Sequence, residues 1–267
     1  MPELPEVETV LRALELRVKD AEISDIIIRW PKVIEGDPDV FARTLKGQHF
    51  RGFNRRGKYL LFTMDDCLLV SHLRMEGKYF IKTDADPFSR HEHLVFCLAD
   101  GRQLRYHDTR KFGRLQILPK DTDLVSFHDL GPEPFAEAFS PEYIHAWRRG
   151  RKMPLKSLLL NQSFVAGVGN IYADEILFAC GLRPGRSCAR ITGKDEENIV
   201  RETRRILSAA IASGGTTIRS YNSFGITGLF QLACQVHEQK ICRKCGSEIK
   251  VKWIGGRSSY YCPHCQK

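Results

Sequence analysis

In the first eighteen residues, the apolar positions follow the spacing expected of an α-helix that buries one face. They recur at three- and four-residue spacing. These positions are Val7, Val10, Leu11, Leu14 and Val18. Pro5 precedes them, and proline fits the first position of a helix, where its missing N–H has no helical partner. The pattern predicts an amphipathic helix that begins at Pro5.

Beyond this helix the repeat shortens to that of β-strands. Eight short runs are rich in β-branched and aromatic residues, and turn signals such as Arg56-Gly57 and Asp100-Gly101 separate them. The runs are Ile23–Trp30, Gln48–Phe53, Tyr59–Met64, Leu68–Leu73, Lys78–Ile81, Leu94–Leu98, Gln103–Tyr106 and Arg114–Leu118. They predict a β-sandwich or barrel flanked by the first helix.

A helical half follows the segment Gly131-Pro132-Glu133-Pro134, which is the candidate linker. Four helices are predicted, over Pro141–Arg149, Pro154–Leu160, Ile171–Cys180 and Asp195–Ser213. Residues 214–239 show no clear period and are interpreted as a long loop, a kind of segment that is often functional. The fold class is therefore α+β, with domains expected at 1–133, 134–239 and 240–267.

Composition narrows the range of partners. The chain of 267 residues is 42% hydrophobic, enough to bury the core of one large or two ordinary domains. Lys and Arg number 41 against 32 Asp and Glu, and this net charge of +9 favours a polyanionic partner. No run approaches the ~18 apolar residues of a membrane span, and no apolar segment opens the chain. We expect a soluble protein that is not secreted and binds no membrane.

Nine cysteines fall into two groups. Five are scattered through apolar or mixed segments, as buried free thiols are in a reducing cytosol. The others form two pairs, Cys242-x2-Cys245 and Cys262-x2-Cys265, separated by sixteen residues. This spacing predicts one structural Zn²⁺ with no open coordination position, held in a β-hairpin ribbon with strands at Glu248–Lys252 and Ser258–Tyr261. Two disulfides are the alternative, and they conflict with the cytosolic character.

The predicted ribbon is strongly basic. Residues 240–267 hold seven Lys and Arg against the single acid Glu248, a net charge of +6. A solvated basic face and a phosphate-binding hairpin both explain this excess, and we favour the hairpin.

The first residues carry candidate chemistry. Removal of Met1 would leave Pro2 with a secondary amine beside the carboxylates Glu3 and Glu6. An α-amine has a pKa of about 8, so a useful fraction is a neutral nucleophile near pH 7 and can form an iminium with a sugar carbon. A simple helix lead-in explains the same residues, and the sequence pattern alone leaves both interpretations open.

A glycine turn joins two of the predicted helices. In the segment 162–170, Gly167 and Gly169 permit the unusual φ values of a tight turn, and Asn170 is a good N-cap for the following helix. Exposed N–H groups at such a helix start suit a DNA phosphate. Generic capping of a helix-turn-helix explains these residues equally well.

Basic residues also accompany apolar ones at predicted loop tips of the β-rich half. They occur in the segments Arg55–Lys58, His72–Met75 and His107–Gly113. Cations at such tips are suited to gripping phosphates, and an apolar residue such as Met75 or Phe112 is suited to wedging into a base stack. Taken singly, each segment is also compatible with an ordinary surface loop.

Placed in order, these motifs resemble the formamidopyrimidine-DNA glycosylase (Fpg, or MutM) family of bacterial base-excision enzymes. The resemblance spans the chain, and Pro2–Thr9 has the form typical of this family, whereas the related endonuclease VIII enzymes usually differ there. The matching stretches are Met1–Val10, Arg56–Leu61, His72–Met75, Arg110–Gly113, Asp129–Phe135, Val165–Leu182, Gly214–Thr217 and Arg257–Lys267.

The resemblance implies a DNA repair enzyme for oxidised purines such as 8-oxoguanine and formamidopyrimidines. It implies an N-terminal helix with a β-sandwich, a helix-two-turn-helix domain with a lesion-side loop, and a C-terminal zinc ribbon. The partner would be damaged double-stranded DNA, from which the lesion is flipped out. The protein would act as a monomer in the bacterial cytoplasm, associated with the nucleoid, with one structural Zn²⁺ and no organic cofactor.

The resemblance also implies roles for individual residues. Pro2 would attack the sugar C1′ and Glu3 would act as general acid, with Glu6 supporting the active site. Lys58 would serve β-elimination, and Arg257 a second elimination. DNA contacts would come from a further set, His72, His91, Arg110, Arg151 and Asn170. Met75, Arg110 and Phe112 would fill the gap left by the flipped base.

Three departures from the family pattern affect this expectation. Arg74 stands where a small residue, usually Gly, is expected before Met75, and Thr109 stands where Pro is common. The segment 236–241 is shorter and less glycine-rich than usual. Three other hypotheses stay open: the same chemistry on oxidised pyrimidines, a non-catalytic damaged-DNA-binding protein, and a zinc-ribbon protein-interaction module.

Overall fold

A computed structural model of the chain describes residues 1–124, 127–216 and 233–267. They form two compact units: residues 1–124 with Thr216, and residues 127–215 with 233–267. None of the helices in these ranges is long and apolar enough to cross a membrane. Most of the loop predicted over 214–239 lies outside the described residues. The domain limits at 133 and 239 stay predictions.

Helix α1 (Leu4–Val18) opens the first unit and buries the predicted apolar face. Glu3 is its N-cap and forms a reciprocal capping box with Glu6. The helix therefore begins one residue earlier than predicted, with Pro5 in its second position. Proline is tolerated anywhere in the first turn, because those N–H groups have no helical acceptor.

Two antiparallel four-stranded sheets follow, in the orders β1-β6-β7-β5 and β2-β3-β4-β8. The strands are β1 (Ile23–Ile28), β2 (Gly52–Arg56), β3 (Tyr59–Thr63), β4 (Cys67–His72), β5 (Lys78–Lys82), β6 (Glu92–Leu98), β7 (Gln103–His107) and β8 (Arg114–Pro119). Both sheets and α1 contribute to one apolar core, with ring contacts such as Phe62–Tyr79 at 6.4 Å between the sheets. The sandwich prediction is confirmed.

Two details of the first unit differ from the sequence prediction. Strand β2 begins at Gly52 rather than Gln48, because Phe50 exchanges backbone hydrogen bonds with Asp20 and Ala21 outside the sheet. Helix α2 (Pro38–Leu45) was not predicted, although Asp37 caps it with two side-chain hydrogen bonds and Pro38 occupies its first turn. An Asp-Pro pair is a helix start signal, so this helix was readable from the sequence.

The second unit is helical up to its C-terminal hairpin. Its helices are α3 (Pro141–Arg148), α4 (Leu155–Leu160), α5 (Asn170–Ala179) and α6 (Gly193–Ala212), each within two residues of the predicted bounds. Strands β9 (Lys250–Ile254) and β10 (Arg257–Tyr261) pair antiparallel as the predicted hairpin, β9 lying two residues later than expected.

Candidate active site and nucleic-acid interface

The first residues lie in a buried corner beside the turn between β2 and β3. Pro2 is buried, and Glu3 and Lys58 are only 3% and 6% exposed. Lys58 is the second residue of a two-residue turn whose first residue, Gly57, has a φ of +56°. A hairpin turn of this length favours glycine there, because a Cβ is strained at positive φ.

The electrostatics of this corner are visible at the α-amino group of Met1. Burial lowers the pKa of this amine, the carboxylates of Glu3 and Glu6 oppose that shift, and the nearby Lys58 ammonium adds to it. The net shift in the pKa of the Met1 amine is downward, so this amine is more readily neutral than one in water.

Glu6 is the polar centre of the corner. Its Oε2 accepts the backbone N–H of Glu3 at 2.8 Å. Its Oε1 accepts both the N–H and the hydroxyl of Thr216, at 2.8 and 3.0 Å. One buried carboxylate therefore ties the start of α1 to a residue more than two hundred positions away. Sequence reasoning missed Thr216 as a partner, although it lies within the matching stretch Gly214–Thr217.

An ion pair attaches the β2–β3 hairpin to α1. Arg55 Nε donates to Glu8 Oε2 at 3.1 Å, and the same guanidinium donates to the Gly57 carbonyl at 2.9 Å. The turn that carries Lys58 is thus connected to the helix that carries Glu3. The sequence pattern grouped Arg55 with cations that could bind phosphates, whereas in the structure its guanidinium forms hydrogen bonds to Glu8 and Gly57.

His72 lies at the end of β4, where its ring contacts Tyr59 with centroids 4.5 Å apart. Its Nδ1 accepts the backbone N–H of Arg74 at 2.9 Å. A neutral ring therefore carries its proton on Nε2. Arg74 has a φ of +51°, the left-handed region that favours glycine. The turn thus keeps a glycine-like backbone despite the arginine.

Two loop tips carry the predicted intercalating residues. The first, residues 73–76, contains the partly exposed Met75, and the second, residues 108–113, contains the exposed Phe112. Gly77 follows the first tip and Gly113 ends the second, and a Cβ at either position would collide with the Tyr106 hydroxyl. Thr109 Oγ1 also donates to Glu76, so the residue that replaces proline links one tip to the other.

The second tip is shaped by one buried carboxylate. Asp108 accepts the backbone N–H of Arg110 through Oδ1, and those of Phe112 and Gly113 through Oδ2, all at 2.8 to 2.9 Å. The Arg110 guanidinium lies over the Phe112 ring, 4.8 Å from its centroid. Sequence reasoning missed Asp108, although Asp at the start of a turn typically bonds to the backbone that follows.

His91 is brought beside the second tip by the sheet. Its carbonyl accepts the Asp108 N–H at 2.9 Å, and its ring is 5.5 Å from that of His107. The segment before it is held by the fully buried Arg105, which donates to the carbonyls of Thr83 and Asp86 and pairs with Glu92 at 3.1 Å. The structure therefore collects His91, Arg110 and Phe112 in one part of the first unit.

In the second unit, the glycine turn is organised by Gln162. Its side chain accepts the Gly167 N–H at 3.0 Å and donates to the Val168 carbonyl at 2.8 Å. Gly167 has a φ of +88°, as predicted, but Gly169 is extended and is itself the N-cap of α5. Asn170 is the first helical residue, so its predicted role as the cap is wrong. Among the described residues, its buried Oδ1 has no hydrogen-bond partner.

Arg151 is exposed and lies over the ring of Trp147, 4.0 Å from the ring centroid. The same guanidinium donates to the Trp147 carbonyl. Trp147 in turn packs against the buried Phe164 at 5.1 Å. The cation is therefore held at the surface by an aromatic support that sequence reasoning did not identify.

The four paired cysteines converge in the second unit. Their sulfur atoms all lie within 4.8 Å of one another, with Cys245 and Cys262 at 3.4 Å and Cys242 and Cys265 at 3.9 Å. These separations are far longer than an S–S bond. A tetrahedral site with Zn–S of about 2.3 Å places its sulfurs ~3.8 Å apart, so the donor set fits Zn²⁺. The structure thus favours the predicted zinc site over two disulfides.

The turn of the hairpin lies between β9 and β10. Gly255 and Gly256 have φ values of +57° and +73°, which a two-residue hairpin turn requires at both positions. Arg257 follows directly as the first residue of β10, and its side chain is exposed. The arginine predicted to serve the second elimination is therefore next to the tip of a basic hairpin that carries the four-cysteine site.

Three segments of the chain match models of known protein families. Residues 1–115 match the N-terminal domain of formamidopyrimidine-DNA glycosylase, and residues 130–222 match its H2TH domain. Residues 240–267 match a zinc finger found in Fpg and isoleucyl-tRNA synthetase. Among curated relatives, the formamidopyrimidine-DNA glycosylases of Bacillus licheniformis and Streptococcus pneumoniae serotype 4 are each 43% identical to the chain. All of the chain is covered in both, with 100% and 99% of those proteins.

Solved structures agree with the fold. A Lactococcus lactis Fpg variant bound to DNA that contains Fapy-dG has a TM-score of 0.95 and 38% identity, with both chains fully covered. The same organism's Fpg bound to abasic-site DNA has a TM-score of 0.94, with 99% of each chain covered. The helix-led sandwich, the glycine-turn helices and the four-cysteine hairpin all agree with one assignment: the chain belongs to the formamidopyrimidine-DNA glycosylase family.

Proposed function

We propose that this protein is a bifunctional DNA glycosylase and AP lyase that excises oxidised purines from duplex DNA in base excision repair. The observation that carries the proposal is the buried corner in which the charges of Glu3, Glu6 and Lys58 all influence the pKa of the chain's first amine. Family membership supports the substrate class, and the basic hairpin supports a DNA partner.

Pro2 is the nucleophile once Met1 has been removed. While Met1 is present, the proline nitrogen is an amide and has no lone pair to donate. The free secondary amine attacks C1′ of the damaged nucleotide and gives up its proton, while the bond from C1′ to the base breaks and the base leaves with a proton. The sugar ring then opens to an iminium. Glu3 donates the proton that ring opening requires, since its buried carboxyl is adjacent in the chain to the amine.

Strand cleavage follows from the iminium itself. The positive nitrogen acidifies the C2′ hydrogen, and loss of that proton expels the 3′ phosphate. Lys58 assists this proton transfer or holds the phosphate. The effect of its ammonium group on the pKa of the chain's first amine supports this role. Arg257 serves the second elimination from the tip of the zinc hairpin.

The remaining site residues bind the duplex. His72 lies at the end of β4, Arg151 is exposed, His91 is partly exposed, and Asn170 lies at the start of a ten-residue helix. Met75, Arg110 and Phe112 fill the space left by the flipped nucleotide. Cys242, Cys245, Cys262 and Cys265 hold a structural Zn²⁺ that stabilises the hairpin. The protein works as a monomer in the bacterial cytoplasm, on DNA of the nucleoid.

Borohydride trapping on a duplex with one 8-oxoguanine tests the proposal. Reduction of the iminium should leave a covalent adduct, and mass spectrometry of the tryptic peptide 2–12 should place the sugar remnant on Pro2. Glu3→Gln should bind the duplex but form no adduct, because the acid is lost while the bulk is kept. A remnant on Lys58 in the wild type would overturn the assignment of the nucleophile.

Lesion choice separates the proposal from its alternatives. Duplexes with one 8-oxoguanine, one formamidopyrimidine or one oxidised pyrimidine should be cut at different rates, the first two fastest. Preference for the oxidised pyrimidine would favour endonuclease VIII-like specificity. Tight binding without any trapped adduct would favour a non-catalytic damage-binding protein.

A further inference from the structure

Trp30 follows strand β1, is partly buried, and contacts the second tip, residues 108–113. The Lys111 ammonium is 5.4 Å from the centroid of its ring, and the Arg114 guanidinium is 5.8 Å from it. Cations within about 6 Å of an aromatic face are attracted by the ring quadrupole, and tryptophan attracts them most strongly. One indole therefore supports two cations that lie on either side of Phe112 in the chain.

The two supported cations are part of the tip's own backbone structure. Arg114 Nη1 donates to the carbonyls of Lys111 and Gly113, at 3.2 and 2.7 Å. Lys111 has a φ of +58°, in the left-handed region that is unfavourable for a residue with a Cβ. A strained backbone of this kind persists where the surrounding contacts hold it. The Arg114 hydrogen bonds and the contact between Lys111 and the indole are such contacts.

The start of the same tip is connected to the indole through His93. The His93 ring lies 5.4 Å from that of Trp30, and its Nε2 donates to the Asp108 carbonyl at 2.7 Å. The backbone N–H of Trp30 donates to the His93 carbonyl at 3.1 Å, so the indole is itself fixed to strand β6. Trp30 thus contacts groups that hold both ends of the tip that carries Arg110 and Phe112.

We propose that Trp30 is a positioning residue for the second tip, whose ring face keeps Arg110 and Phe112 in the conformation that enters the gap left by a flipped base. The proposal rests on the proposed function, because it concerns the insertion step of the same reaction. Trp30 acts through the side chains that it supports, so its effect should appear only where a gap in a duplex must be filled. An abasic site in a single strand has no such gap.

Single-turnover kinetics on two substrates test the proposal. Trp30→Leu keeps an apolar side chain but removes the ring face. It should slow excision of 8-oxoguanine from duplex DNA about tenfold, the effect of losing two cation–π contacts from the productive conformation of the tip. Cleavage of a single-stranded oligonucleotide with one abasic site should be unchanged. Trp30→Phe should recover most of the duplex activity, because it restores an aromatic face. Leu16→Ala, an exposed position of α1, should change neither rate.

A double-mutant cycle separates support of the cations from simple packing. In a Lys111→Met background, Trp30→Leu should slow duplex excision by a smaller factor than in the wild type, since one of the two supported charges is already absent. In a Lys46→Met background it should slow excision by the full factor, because the Lys46 ammonium pairs with Asp25. Equal factors in the two backgrounds, or equal slowing of the single-stranded substrate, would overturn the inference.

Failure of the proposed function would give a different result. A wild type that forms no borohydride adduct on duplex with 8-oxoguanine would overturn the proposed function, and this inference with it. A wild type that forms the adduct, while Trp30→Leu and Trp30→Phe share one duplex rate, whether normal or slow, would overturn the inference alone.

Discussion

The β-sandwich unit and the zinc hairpin hold their functional residues in two different ways. In residues 1–124, a core shared by α1 and two sheets fixes the backbone, and buried carboxylates such as Glu6 and Asp108 then shape individual turns. Within the described residues, the apolar cluster around the hairpin has four buried members: Val236, Cys242, Ile249 and Cys262. Two of these are zinc ligands.

The difference follows from size. A segment of about thirty residues buries too little apolar surface to offset the conformational entropy that folding removes, so a metal must supply the balance. A sandwich of more than one hundred residues needs no such support and uses polar groups for precision instead. The zinc hairpin and the β-sandwich unit should therefore respond differently to loss of the metal, loss of a buried carboxylate, relief of backbone strain and protonation of buried histidines.

Removal of the metal should have the largest effect and should be confined to the hairpin. Small zinc modules gain about 10 to 16 kcal/mol from metal binding, and this is also their folding energy. Cys245→Ala should therefore lose zinc and expose the amides of residues 240–267 to hydrogen exchange. The amides of β2 to β4 should keep their protection.

Cys97→Ala is the matched control, because Cys97 lies in β6 outside the four-sulfur cluster. It should keep its metal content and hairpin protection. If Cys245→Ala also kept both, zinc would not be what holds the hairpin together.

Loss of a buried carboxylate should be the next largest effect and should fall on the sandwich unit. Glu6→Ala removes the acceptor of the Glu3 N–H and of two Thr216 donors. An unsatisfied buried donor costs about 1 to 3 kcal/mol, so a loss of about 3 kcal/mol in the free energy of unfolding is expected by chemical denaturation. Glu15→Ala, at an exposed position of the same helix, should change stability by less than about 0.5 kcal/mol.

Relief of backbone strain should give a smaller effect of opposite sign. Arg74 has a φ of +51°, where a Cβ is unfavourable. Arg74→Gly should stabilise the protein by about 0.5 to 1 kcal/mol, the strain relief being partly offset by chain entropy. Arg90→Gly, at an exposed position without positive φ, should not stabilise. Destabilisation by Arg74→Gly would mean that the arginine side chain stabilises the tip.

Protonation of buried histidines should have the smallest effect on stability, and this effect should again be confined to the β-sandwich unit. Burial lowers the pKa values of His93 and His107, and the positive charge of neighbouring groups such as Lys111 and Lys78 adds to this. The hydrogen bond between His93 and the backbone carbonyl of Asp108 opposes the shift of His93, followed by the Asp108 carboxylate, and the Glu92 carboxylate opposes the shift of His107. Because the folded pKa lies below the unfolded value of about 6.5, their contribution to stability is present above pH ~6.5 and is lost as the pH falls.

Hydrogen exchange of the amides of β6 and β7 between pH 7.5 and 5.5 measures this loss of stability. Because these amides lie in the β-sandwich unit, the measurement does not depend on the zinc hairpin. His107→Gln should flatten the dependence, because glutamine fills a similar volume and does not titrate. An unchanged slope in this variant would assign the acid sensitivity to other groups.

The sequence alone determined the element types, the zinc ligands and the family. Periodicity located α1 and all eight strands of the sandwich because each element buries a repeating face, a local property of the chain. Cysteine spacing located the metal site because two tight turns bring four thiolates together within one short segment. The N-terminal motif and its companions carried the family resemblance that the comparisons support.

Only the tertiary structure decided which polar groups meet. Glu6 bonds Thr216, Asp108 shapes the tip beside His91, and Trp147 supports Arg151. The first two contacts join residues that are distant in sequence, and none of the three has a repeat that a pattern could detect. The sequence pattern predicted Asn170 as the N-cap of α5, whereas the cap in the structure is Gly169, and this error has a related cause. A cap is defined by backbone angles and hydrogen bonds that the packed chain selects, and residue type only biases that choice.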